Sequence, residues 1–172
     1  MGMLGEGLVD DSVLVVKSHF PERNGIGVFK VSKVVVITRH PLDCMSSLFN
    51  MIATVTHSQS IDQSKLDKPQ IDGLWKEYIL QEPPIWNKFN DFWFESPQKA
   101  FVHIVRYEDM LYHPKQTLTW LFEFILEKAD GLKGTVIEQL IDQLALELSS
   151  EEGKQANQVY KPRVGQVGAN LK

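Results

Sequence analysis

The chain is 172 residues long, 43% hydrophobic and 23% charged, the composition of one globular domain large enough to bury a core. Its formal charge of −4 at pH 7 excludes a protein that coats nucleic acid through a broad basic face, so an anionic ligand would need a local cluster of positive groups. No apolar run reaches the about eighteen residues of a membrane span, no basic leader precedes an apolar stretch, and Cys44 stands alone, which excludes an internal disulfide and a cysteine-based zinc site. The missing signal and span favour the cytoplasm.

Residues 1–11 are glycine-rich and polar. Ser12 to Val16 is the first apolar run and reads as a strand, which puts Lys17 and His19 at its carboxyl edge; Pro21 discourages a continuing helix. Glu22 to Gly27 is turn-like. Val34 to Ile37 is a short β-branched run of the kind that fills buried parallel strands. It ends at Arg39-His40-Pro41, and a helix follows with Met45, Leu48, Phe49 and Ile52 on its core face. Pro41 fits the first helical turn, where its missing N–H is not needed, and Asp43 in the same turn complements the helix dipole. Asp43, Ser47, Asn50 and Thr54 share the polar face.

Thr56 to Asp72 is polar and aperiodic, a long loop by ordinary standards. Leu74 to Gln81 looks helical, Pro83-Pro84 interrupts it, and Ile85, Trp86, Phe89, Phe92 and Trp93 resume helical spacing as an aromatic stripe suited to core packing or a pocket wall. Ala100 to Arg106 is a third strand, ending at Tyr107-Glu108-Asp109, the two acids reading as structural capping or pairing groups. His113-Pro114 opens a helix with Leu118, Leu121, Phe122 and Ile125 on one face. Thr135 and Glu138 stand at capping-box spacing before a last helix with Ile137, Leu140, Ile141, Leu144 and Leu148 on its apolar face. Ser149 to Lys172 is polar. Strands alternating with helices predict an α/β fold, a parallel sheet flanked by helices.

The chemistry concentrates after the Val34 to Ile37 strand. In open α/β sheets ligands bind outside the carboxyl ends of strands, beside the free N–H groups of the next helix. An arginine at that strand end, with a hydroxyl on the polar face of the following helix, suits a phosphate. On these residues alone a salt-bridged surface arginine and a solvated serine remain an open alternative. His40, His57, His103 and His113 carry no motif.

Four segments, in order, resemble the P-loop sulfotransferases that use 3′-phosphoadenosine 5′-phosphosulfate. VVKSHFP resembles the family's Lys-Thr-His-x-Pro strand end, with Ser18 for threonine, and TRHPLDCMSS resembles its 3′-phosphate motif, an arginine followed eight residues later by a serine. VRYEDMLYHP resembles its Tyr-Glu-Asp-Leu/Met segment, and RVGQVG its Arg-Lys-Gly-x-x-Gly loop. The resemblance implies that Arg39 and Ser47 hold the 3′-phosphate, that Arg163 and the backbone at Gly165 close over it, and that Tyr107 lies against or hydrogen-bonds the adenine. It implies His19 as the general base on the acceptor hydroxyl and Lys17 as the cation at the transferring sulfonate, with no metal required.

Val164 replaces the usual lysine of the last loop, and Ala169-Asn170 stand where Asp-Trp is common. The Gly/Ser/Thr loop with its lysine, which cradles the 5′-phosphosulfate, has no counterpart in these residues; Gly153-Lys154 lacks both the leading glycine and the following Ser/Thr. The expectation is therefore a single partial domain over residues 1–172, a C-terminal portion of a P-loop-like sulfotransferase fold, weakly active or inactive alone. It would serve a small-molecule or carbohydrate acceptor, without nucleic acid. The alternatives are a nucleotide-binding pseudoenzyme and a fragment of a P-loop nucleotide kinase, the latter calling for a phosphate loop and a magnesium-binding carboxylate that the sequence does not offer.

Overall fold

The computed structural model describes residues 10, 12–18, 31–56, 61–62, 68–95 and 100–149. Within them, β1 (Lys33–Thr38) and β2 (Phe101–Arg106) form a parallel two-stranded sheet in the register Lys33↔Phe101 to Thr38↔Arg106. Parallel neighbours need a crossover. It is made by α1 (Pro41–Thr54) and α2 (Pro69–Glu95), after which α3 (Tyr107–Tyr112), α4 (Pro114–Leu126) and α5 (Val136–Ser149) follow β2. The fold is α/β with helices on a parallel sheet, as the alternation of elements requires.

Side chains alternate across a strand, so the register sorts them into two faces. Lys33, Val35 and Ile37 share one with Phe101, His103 and Val105. There His103 stacks on Phe124 of α4 at 5.0 Å. On the same face, Lys33 donates to the Ile125 carbonyl at 2.8 Å and pairs with Glu127 at 2.7 Å. A cation at the last turn of α4 meets carbonyls that have no intrahelical partner and the negative end of the helix dipole. The opposite face carries Val34, Val36 and Thr38, and Thr38 meets α2 by donating to Asn90 Oδ1 at 2.9 Å. The crossover helices thus lie on one side and α4 on the other, with Val36 and Val105 buried between.

Helix α1 buries Met45 and Phe49, and Phe49 packs against Trp75 edge-on at 4.9 Å and against Tyr78 at 5.3 Å. The Tyr78 hydroxyl donates to the Met45 carbonyl at 2.9 Å, giving the half-buried aromatic its polar partner. Helix α4 begins at Pro114, and Thr117 ties it to α3 by donating to the Asp109 and His113 carbonyls at 3.0 and 2.9 Å. Helix α5 starts with Thr135 Oγ1 accepting the Glu138 N–H at 3.2 Å, while the Glu138 carboxylate takes the Gly134 N–H at 2.7 Å. This is the expected capping pair, displaced by one residue on its return arm.

Five expectations are corrected. Ser12 to Val16 is not a strand: it follows a turn at Asp10 and leaves Leu14 and Val15 exposed, with no described strand beside it to supply ladder hydrogen bonds. Pro83-Pro84 does not interrupt the helix; α2 runs through both prolines. Packing explains this, because Trp75 and Tyr78 before them and Asn90 after them are anchored to α1 and β1, and such contacts outweigh the about 3 kcal/mol that a helical proline costs. The polar stretch Thr56 to Asp72 is shorter at its end than read, since α2 begins at Pro69. On α1, Asp43 is buried at 1% exposure whereas Ile52 is 53% exposed, so burial along this helix follows its tertiary packing and not its apolar stripe. On α5, among the side chains described, Ile141 is buried while Leu140 and Leu144 remain nearly half exposed.

Candidate functional site

Register builds the site. Thr38 pairs with Arg106 as the last residues of their strands, so both chains leave the sheet at one level. Arg39-His40 and Tyr107-Glu108 are thereby neighbours although about seventy residues apart in sequence. The Arg39 guanidinium carbon lies 4.6 Å from the centroid of the Tyr107 ring, within the range of cation–π attraction. Arg39 Nε is buried and makes no hydrogen bond among the described residues. A buried charged donor left open in this way is a place for an acceptor.

The surroundings hold this pair in place. Glu108 is 7% exposed and accepts the His40 N–H at 2.8 Å. Arg106 approaches Glu108 at 3.9 Å and Asp109 at 4.0 Å. From the other side, Asn90 accepts from Thr38 and donates to the Trp86 carbonyl at 2.8 Å, which fixes the last residue of β1. Ser47 rides on α1, the helix that begins two residues after Arg39, and is half-buried there. A cavity of about 200 Å³ opens between the end of β1, α1 and α2, lined by Arg39, Cys44, Leu48, Tyr78, Trp86 and Phe89 among others. A second cavity, about 250 Å³ between α4 and α5, is walled mainly by Phe122, Ile137, Leu140, Ile141 and Leu144 and carries no cation.

Of the residues expected from sequence, the fold brings Arg39 and Tyr107 together and carries Ser47 on the adjoining helix. Lys17 is exposed, in an irregular segment rather than at a strand end. His19, Arg163 and Gly165 lie outside the described residues. Among the described residues no cluster of His, Cys, Asp or Glu could hold a metal ion, and no helix is long and apolar enough to cross a membrane. Asn90 is not singled out by pattern, since Asn87 stands in the same aromatic helical stretch and only packing distinguishes the two. Glu108 was legible as a pairing group, but not that its partner lies on the other strand's loop.

A family model described as "Sulfotransferase family" matches residues 26–128, more than half of the chain. The chain belongs to the sulfotransferase family. The matched region runs from before β1 through α4 and contains Arg39, Ser47 and Tyr107. Lys17, His19, Arg163 and Gly165 fall outside it. No solved structure matches the chain. The α/β arrangement fits the P-loop-like fold of such enzymes, and membership gives a transferase-type function.

Proposed function

We propose that the crevice at the ends of β1 and β2 binds the 3′-phosphoadenosine portion of 3′-phosphoadenosine 5′-phosphosulfate. Arg39 and Ser47 donate to the 3′-phosphate, and Tyr107 lies against the adenine. Arg163 and the backbone at Gly165 close over the same phosphate. The observation that carries this reading is the Arg39 guanidinium over Tyr107 with its buried Nε open to an acceptor. No other described arginine combines burial, an aromatic neighbour and a strand-end loop leading into a helix N-terminus.

Residues 1–172 form one partial domain in this reading. In the transfer step the acceptor oxygen or nitrogen attacks sulfur, the bond from sulfur to the bridging phosphate oxygen breaks, and adenosine 3′,5′-bisphosphate leaves. His19 takes the acceptor proton, and Lys17 offsets charge on the sulfonate. The acceptor is a hydroxyl or amine of a small molecule or carbohydrate. The 172 residues hold no 5′-phosphosulfate loop, so this chain by itself binds the nucleotide and turns over weakly. A second reading, a nucleotide-binding module without catalysis, draws support from Lys17 being exposed and away from a strand end.

Calorimetric titration with adenosine 3′,5′-bisphosphate tests the site: binding is expected, and Arg39→Ala should weaken it about tenfold to a hundredfold, as for loss of a charged hydrogen-bonding partner. Binding that is undetectable, or indifferent to Arg39, overturns the reading. Transfer of labelled sulfonate that disappears in His19→Ala separates the enzyme from the module.

A further inference from the structure

The loop that presents Arg39 is fastened from the opposite strand. Glu108 Oε1 accepts the backbone N–H of His40 at 2.8 Å, and Oε2 lies 3.9 Å from Arg106 Nε. His40 is the N-cap of α1, and its own side chain makes no capping bond. The free N–H of an N-cap is commonly met by a residue three positions further along the same helix. Here a carboxylate from β2's exit meets it, and it does so at 7% exposure, where an unmatched acceptor would be costly. Each end of this cross-link stands one residue after a member of the nucleotide pair: His40 follows Arg39, and Glu108 follows Tyr107.

We infer that Glu108 is a positioning residue for the nucleotide site, locking the Arg39 loop to the Tyr107 turn through the His40 backbone. It touches neither phosphate nor adenine in this role. The inference rests on the nucleotide reading above and adds to it the reason why Arg39 faces Tyr107. A long guanidinium side chain holds an anion well only when its own backbone is fixed, and displacement of about 1 Å is enough to weaken such a contact severely.

The test compares adenosine 3′,5′-bisphosphate with adenosine 5′-monophosphate, which lacks the group Arg39 would hold, on the full chain. In Glu108→Ala the bisphosphate should bind about tenfold or more weakly while the monophosphate changes by no more than about threefold, so the preference for the 3′-phosphate collapses. Glu108→Gln keeps an acceptor oxygen for the His40 N–H and should restore most of that preference. His40→Pro removes the same bond from the donor side; His40 φ is −49°, which proline accepts, and the same selective loss is expected. Thermal melts without ligand verify that each variant is folded. Equal weakening of both nucleotides, or no weakening in Glu108→Ala and His40→Pro, overturns the positioning role while leaving the site standing. A wild-type chain that binds neither nucleotide overturns the nucleotide reading and this inference with it.

Discussion

At the scale of single residues, the proposed nucleotide site turns on how an arginine is left available. Arg39 is half-buried, and among the described residues its guanidinium rests on an aromatic ring rather than on a carboxylate. An ion pair would have consumed its donors; a ring face orients the fork and leaves them open. The same ring is expected to carry the adenine, so the hydroxyl of Tyr107 matters less than its plane. Tyr107→Phe should bind adenosine 3′,5′-bisphosphate within about threefold of wild type, whereas Tyr107→Ala should lose the about 1–3 kcal/mol of a base–aromatic stack. Isothermal titration of both variants checks this, and equal losses would move the adenine elsewhere. A second residue stands out for its backbone. Val55 closes α1 at φ 55°, a left-handed conformation that a β-branched side chain resists, and it is exposed. Val55→Gly should therefore stabilise the chain by about 1 kcal/mol, read from urea denaturation midpoints.

At the scale of elements, amphipathic pattern was a good guide to where helices lie and a poor one to which residues within them are covered. The strand Phe101–Arg106 and the helix from Pro114 are where periodicity and the His-Pro signal put them. Helix α2 defied its prolines because it is held at both ends by contacts distant in sequence. One of those contacts is the pair Thr38–Asn90, with Asn90 buried and its amide also bonded to the Trp86 carbonyl. Thr38→Val would leave the Asn90 carbonyl oxygen without its donor. It should cost about 1–3 kcal/mol in equilibrium unfolding, and because Thr38 immediately precedes Arg39 it should weaken nucleotide binding as well. Unchanged unfolding would mean that α2 is held by its aromatic contacts alone.

At the scale of the molecule, two ion pairs with an exposed partner fasten α4, one from its C-cap to β1 and one to α5. Lys33 holds the Glu127 carboxyl below its usual 4.5, chiefly through their hydrogen bond and then through charge attraction. A depressed carboxyl contributes stability that is present above its unfolded value and lost as pH falls through the folded one. The Glu127→Gln variant should accordingly show a shallower fall in melting temperature below about pH 4.5 than wild type. Asp142 raises the Lys115 ammonium above its usual 10.5, again first through the hydrogen bond, so that contribution is complete below 10.5 and fades as pH rises through the folded value. Both pairs are solvent-screened, and both effects should shrink in high salt.

The sequence by itself determined the alternation of strand and helix, the polar character of the strand ends and the motifs that resemble a sulfotransferase, because these depend on residue type at short range. Only the tertiary structure decided that Arg39 stacks on Tyr107, that Glu108 holds the His40 backbone and that Asp43 is buried while Ile52 is not. Those outcomes follow from strand register and helix packing, which bring together residues roughly seventy apart. A local pattern contains the chemistry of each partner but not the distance between them.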